Sequence, residues 1–130
     1  MRTGRRWTRA AGKRPITLEG RPASSTNPST WATYAEVQKG AGDGYGIMLG
    51  DGLGVYDLDH CLDGNQLAPW AREALDQIPE PVVFVERSVS GTGLHVFVEA
   101  DEAPGTVSNG VERYTRARFV RVTGERLTRQ

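Results

Sequence analysis

Asp57 and Asp59, separated by Leu58 at the end of the apolar run Val55-Tyr56, are the residues of this chain with the most chemistry to offer. In a strand, positions i and i+2 share a face, so both carboxylates project side by side while Leu58 turns into the core. Like charges that close oppose one another's ionisation, and a hard divalent cation between them removes the penalty. A third acid, Glu112, follows Val111 in a short apolar stretch. It either completes a three-carboxylate site for two divalent ions or stands as an exposed strand acid paired with Arg113 or Arg116. Two ions so held would clamp the phosphates of a nucleotide, which makes metal-assisted phosphate chemistry the leading reading.

The segment Ser88-Val89-Ser90-Gly91-Thr92-Gly93-Leu94-His95 offers a complementary set of groups. Gly91 and Gly93 flank Thr92 in a turn expected to leave backbone N–H groups free for phosphate oxygens. Ser88, Ser90 and Thr92 add hydroxyl donors, and His95 adds a ring donor. The plainer alternative is a hairpin turn with a satisfied strand histidine. His60, Cys61 and Asp63 form another cluster, but no second pair stands at zinc-ligand spacing, which assigns them a structural role.

These groups need elements to position them. Apolar runs predict strands over 45–49, 55–59, 82–86, 94–98 and 119–123, with a shorter one over 111–114. The Gly50-Asp51-Gly52 punctuation predicts a hairpin between the first two. One helix is predicted over 69–78, with Pro69 in its first turn and Trp70, Ala74, Leu75 and Ile78 along one stripe. Another is predicted over 31–39, capped by Ser29-Thr30. Residues 13–28, rich in Gly, Pro, Ser and Asn, read as loop or short hairpin. The mixture of strands and short helices gives an α+β fold class.

At 130 residues the chain is one small domain, with 38% hydrophobic and 25% charged residues as in an ordinary globular protein. A single cysteine, Cys61, excludes an internal disulfide and agrees with a reducing cytoplasm. No apolar stretch approaches the roughly 20 residues of a membrane span, and no signal-peptide core follows the basic start, so no membrane partner is expected. The zero net charge hides a strong asymmetry: residues 1–22 carry +6, residues 23–112 carry −11, and residues 113–130 carry +5. An acidic centre with basic ends suits a metal site served by a polyanion-binding rim, and equally a basic tail beside a solvated acidic surface. Residues 1–12 lack apolar periodicity beyond Trp7 and are expected to be a loosely ordered basic segment ahead of a single domain over 13–130. Within and beside that segment, Arg5, Arg6, Arg9, Lys13 and Arg14 are candidates to track the phosphates of a single strand, with Trp7 available to stack on a base.

Taken in order, Asp57-Leu58-Asp59-His60-Cys61, then Ser90-Gly91-Thr92-Gly93-Leu94-His95, then Val111-Glu112, then Arg118-Phe119-Val120-Arg121-Val122-Thr123-Gly124 resemble the primase-polymerase branch of the archaeo-eukaryotic primase superfamily. Phage and plasmid replication proteins carry that catalytic domain at their N-terminus. Lys13-Arg14-Pro15 and the segment Ala23 to Trp31 are similar to its lead-in segments, so the resemblance covers residues 7–127. It implies an RNA-recognition-type sheet packed with a second α/β unit and short flanking helices, with the active site between them. It also implies that Asp57, Asp59 and Glu112 hold two divalent cations, Mg or Mn. His95 then contacts the incoming nucleotide's phosphates, Ser90, Gly91, Thr92 and Gly93 belong to the phosphate-facing loop, and Arg118 is a basic residue of the final strand near the nucleotide.

The function so implied is metal-dependent, template-directed primer synthesis or extension in phage or plasmid DNA replication, in the cytoplasm of the host. Its partners would be nucleoside triphosphates, a single-stranded DNA template, and a helicase or helical primase domain on a separate polypeptide. The alternatives are a non-catalytic nucleotide- or single-strand-binding replication accessory, which has no need of clustered acids, and a metal-dependent nuclease, which leaves the glycine loop unexplained.

Overall fold

Alternation of inward apolar and outward polar side chains sorts the strands of this chain into two antiparallel sheets whose inner faces meet. The computed structural model describes residues 1–2 and 4–127. In chain order the strands are β1 (Trp7–Ala11), β2 (Arg14–Ile16), β3 (Gly44–Met48), β4 (Leu53–Leu58), β5 (Leu62–Asp63) and β6 (Gln66–Leu67). After the helix α1 (Pro69–Asp76) come β7 (Val82–Arg87), β8 (Leu94–Glu99), β9 (Thr106–Ser108), β10 (Val111–Tyr114) and β11 (Phe119–Val122). The first sheet runs β11-β3-β1-β2, the second β7-β8-β4-β10-β9, and β5 with β6 forms a small separate hairpin.

Side-chain alternation along the central strands divides the core in two. From β4 and β8, Val55 and Phe97 point toward the first sheet and pack with Trp7, Ile47, Leu49 and Val120. Leu58, Leu94, Val96 and Val98 point the other way and pack under α1, where Ala71 is fully buried. Asp57 and His95 follow the same alternation as Val55 and Phe97, so they belong to the face that looks toward the first sheet.

The strands predicted over 82–86, 94–98, 111–114 and 119–123 are present within one residue of those bounds. Four other expectations are corrected. Residues 7–11 are not a loose tail: they are β1, an inner strand flanked by β3 and β2, with Trp7 only 1% exposed. The pattern is masked because Thr8 and Arg9 are buried too, Arg9 donating from Nε to the Ala41 carbonyl and from Nη1 to that of Val37. Nor do β3 and β4 form a hairpin; Gly50, Asp51 and Gly52 all have positive φ and carry the chain from the first sheet to the second. Arg6 fastens that crossover by donating to the Met48 and Leu49 carbonyls, each at 2.9 Å.

The helix predicted over 31–39 is replaced by two 3-10 turns, Pro28–Thr30 and Glu36–Gln38. Between them Ala32 exchanges backbone hydrogen bonds with Trp7, which holds it extended. Thr33 and Glu36 do form a reciprocal capping box, Glu36 accepting from the Thr33 N–H and Thr33 Oγ1 accepting from the Glu36 N–H, but Gly40 closes off the helix after one turn. On α1, Trp70 leaves the expected stripe and is 39% exposed beside Gly110, while Ala71 takes the buried position. The last three residues of the expected 13–130 domain, and Thr3 of the basic segment, lie outside the described residues.

Candidate active site

Strand register builds the site. Asp57 on β4 is directly opposite Glu112 on β10 and His95 on β8, and His95 is directly opposite Glu86 on β7. Opposed residues of neighbouring strands share a face, so Glu112, Asp57, His95 and Glu86 form one polar row across four strands. The row beside it, Tyr114, Val55, Phe97 and Phe84, carries no charge and leads into the core between the sheets. The polar row therefore marks where the cleft between the sheets turns from apolar to charged.

Asp57 is the least comfortable member. Its Oδ1 is buried and has no hydrogen-bond partner. Burial raises its carboxyl above the ordinary range; His95 and Arg118 pull it down, while Asp59 and Glu112 push it further up. Asp59 lies just beyond β4, exposed in a turn whose next residue, His60, has φ 55°. Of the two partners the sequence offered for Glu112, Arg113 turns to the opposite face and pairs with Glu80 at 2.6 Å. Glu112 instead accepts a hydrogen bond from the Tyr114 hydroxyl at 2.8 Å, a contact that raises the phenol's pKa. The Arg118 guanidinium lies 3.8 Å from the centre of the Tyr114 ring. Arg118 itself precedes β11 by one residue rather than sitting within it.

The loop before β8 is more self-contained than its glycines suggest. The Gly91 N–H donates to the Ser88 carbonyl, that of Thr92 to Ser90 Oγ, and that of Gly93 to Ser88 Oγ. These three amides, expected to be free for phosphate, are spent inside the loop. What the loop presents is a chain of hydroxyls, Ser88 to Ser90 at 3.0 Å and Ser90 to Thr92 at 3.1 Å. Gly91 is required by its φ of 82°, whereas a Cβ on Gly93 would press on the Leu58 carbonyl at the end of β4. That close approach brings the loop alongside Asp59.

The basic set proposed for a single strand divides. Trp7 is enclosed and cannot stack on a base, Arg9 is buried, and Arg6 is committed to the crossover and to the Trp31 ring, 4.7 Å away. Arg5 is exposed and paired with Glu36 at 2.9 Å; Lys13 and Arg14 are exposed.

Among the described residues, no three His, Cys, Asp or Glu side chains come together as a ready-made metal cluster. The donor set is nevertheless of the right kind for a hard divalent cation: two carboxylates directly opposed, one with an unpartnered buried oxygen, and a third acid two residues on. Cys61 is not a candidate ligand or nucleophile, since burial pushes its thiol up to about 11 and it contacts the Leu58 carbonyl.

Residues 6–127 match the family of N-terminal domains of bifunctional DNA primase/polymerases. The chain belongs to that family. A DNA primase-polymerase of Nitratiruptor phage NrS-1 is 34% identical over 122 residues, covering 82% of this chain and 16% of the phage protein. The chain thus spans a small fraction of the length of that relative. Within this primase-polymerase domain, sequence reasoning passed over Glu86 and Tyr114. Both carried a signal: each occupies an inward position of its strand, Glu86 two residues after Phe84 and Tyr114 two after Glu112, where a polar group needs a partner.

Proposed function

We propose that this primase-polymerase domain transfers nucleotidyl groups from nucleoside triphosphates to a growing strand on a single-stranded DNA template, in phage or plasmid replication. The observation that carries the reading is the shared row: Asp57, with its unpartnered buried oxygen, stands between Glu112 and His95 at the charged end of the cleft. Asp57, Asp59 and Glu112 would hold two divalent cations, Mg or Mn. Such ions supply Lewis-acid charge that offsets the triphosphate and favours ionisation of the attacking 3′-hydroxyl.

The chain's own groups do the rest. With its Nδ1–H held by Glu86, His95 in its doubly protonated form donates Nε2–H to a phosphate oxygen. The hydroxyls of Ser90 and Thr92 add neutral donors beside it, with Gly91 and Gly93 shaping the loop. Arg118, held on the Tyr114 ring, places positive charge next to the acids without neutralising them by contact. The apolar row behind excludes water from one side of the cleft, which strengthens these charge interactions. The five-stranded sheet with α1 across its far face serves as the RNA-recognition-type half of the catalytic core. Exposed Arg5, Lys13 and Arg14 are the basic residues left to meet a template.

Primed template incubated with deoxynucleotides and Mg²⁺ or Mn²⁺, read on a gel, tests the proposal. Extension by the unaltered protein and a loss of about 100-fold or more in Asp57→Ala, with the fold intact by circular dichroism, is expected. Degradation of the primer would point to a nuclease instead. Nucleotide binding without extension in either protein would point to a non-catalytic accessory.

A further inference from the structure

Glu86, at the β7 end of the polar row, is 0% exposed, a burial that a carboxylate tolerates when donors occupy both of its oxygens. The Thr123 N–H donates to Oε1 at 3.2 Å and Oε2 at 3.0 Å, and the Gly124 N–H donates to Oε1 at 3.1 Å. Oε2 also lies 2.9 Å from His95 Nδ1. Backbone amides can only donate, so both carboxylate oxygens are acceptors, and the contact with His95 is a hydrogen bond only when Nδ1 carries the hydrogen. The ring has little room to do otherwise: it is 7% exposed and meets Phe97 edge-on at 6.2 Å. Nε2 is the ring nitrogen left without a hydrogen bond among the described residues.

We propose that Glu86 is a positioning residue, whose carboxylate accepts the Nδ1–H of His95 and so fixes the ring with Nε2 facing the cleft, where a ring protonated on both nitrogens donates its Nε2–H to a phosphate oxygen of a bound nucleoside triphosphate. The inference rests on the reading of His95 as the phosphate contact. It adds a structural condition, because the two amides that hold Glu86 belong to the segment just after β11, in the first sheet, while Glu86 and His95 lie in the second. His95 is thus oriented by a group that is itself held only when the two sheets are joined.

Two measurements test this. Long-range ¹⁵N–¹H spectra of the histidine rings report which nitrogen is protonated, and the chain has only His60 and His95, so His60→Asn assigns the signals. In the unaltered protein without nucleotide, Nδ1 of His95 should carry a proton. A neutral ring protonated on Nε2 alone overturns the proposal, and this arm needs no variant at Glu86.

Glu86→Gln keeps the size of the side chain. Its carbonyl can go on accepting from Thr123 and Gly124, which turns the amide NH₂ toward Nδ1; the ring then has no acceptor for an Nδ1–H, so it is held neutral and loses the charge-assisted Nε2–H contact with phosphate. Binding of dATP with Mg²⁺ is then measured calorimetrically for the unaltered protein, Glu86→Gln, His95→Ala and the double variant. Glu86→Gln should weaken binding by about 10-fold, and should add nothing once His95 is alanine. An equal penalty in both backgrounds would show a merely structural acid, and would overturn the positioning role while leaving His95 as the phosphate contact. Undiminished binding by His95→Ala would overturn the reading of His95 itself, and with it the presentation of Nε2.

Discussion

Asp57 stores the electrostatic cost of the site. Its carboxyl is held above the ordinary range chiefly by burial, so the folded state resists its ionisation more than the unfolded state does. The sign follows: below the unfolded carboxylate range Asp57 is neutral in both states and costs nothing, and as pH rises through that range and the raised folded value, stability is lost. Asp57→Asn should therefore raise the melting temperature of the metal-free protein at pH 7, by about a few degrees for a domain of this size, with little difference near pH 3. Thermal melts at the two pH values check this; an unchanged or lower melting temperature at pH 7 would mean that Asp57 is not under electrostatic strain. At this scale the sequence was informative, because the pairing of Asp57 with Glu112 and His95 follows from acids and a histidine at inward positions of strands. The engagement of the Gly91, Thr92 and Gly93 amides was not legible, since it depends on serine hydroxyls folding back within the loop.

Strands carried by an apolar run were readable even with both faces buried, as β8 is, and a strand whose buried positions include polar residues was not. β1 escaped notice because Trp7 shares its face with the buried Arg9, whose guanidinium finds carbonyl partners, while Thr8 and Ala10 fill the other face. The crossover at Gly50-Asp51-Gly52 looks like a hairpin turn in sequence because both uses need positive φ. In β3, Gly46 is more constrained than Gly44. A Cβ on Gly46 would collide with the Val120 carbonyl on the neighbouring strand and with the Phe119 ring, whereas one on Gly44 would meet the Arg121 guanidinium, a side-chain end that can swing aside at the expense of its hydrogen bonds to Gly12 and Asp43. Gly46→Ala should cost about 1–3 kcal/mol by urea denaturation and Gly44→Ala less, since backbone cannot step aside as a side chain can. Equal costs would show that β11 shifts freely against β3.

The whole molecule concentrates acid in the centre of its sequence and basic residues at both ends, and folding brings the two together: Arg118, just ahead of the edge strand β11, lowers the electrostatic cost of Asp57. Among the described residues no helix is long and apolar enough to cross a membrane. Removing residues 1–12 would delete the inner strand β1, so template contacts are better probed on the surface. Replacing Lys13 and Arg14 by alanine should lower the salt dependence of single-strand binding by about 0.7 per lost phosphate contact. An unchanged slope in fluorescence anisotropy would remove these residues from the template surface.

The row of Glu112, Asp57 and His95 is where a metal-bound triphosphate is expected to react. Diffraction from crystals soaked with Mn²⁺ and a non-hydrolysable deoxynucleoside triphosphate tests it most directly. Anomalous peaks about 2.0–2.6 Å from oxygens of Asp57, Asp59 and Glu112, with the triphosphate against His95 Nε2, are expected. Manganese and triphosphate bound together at another surface, with Asp57 uncoordinated, would place the reaction away from this row.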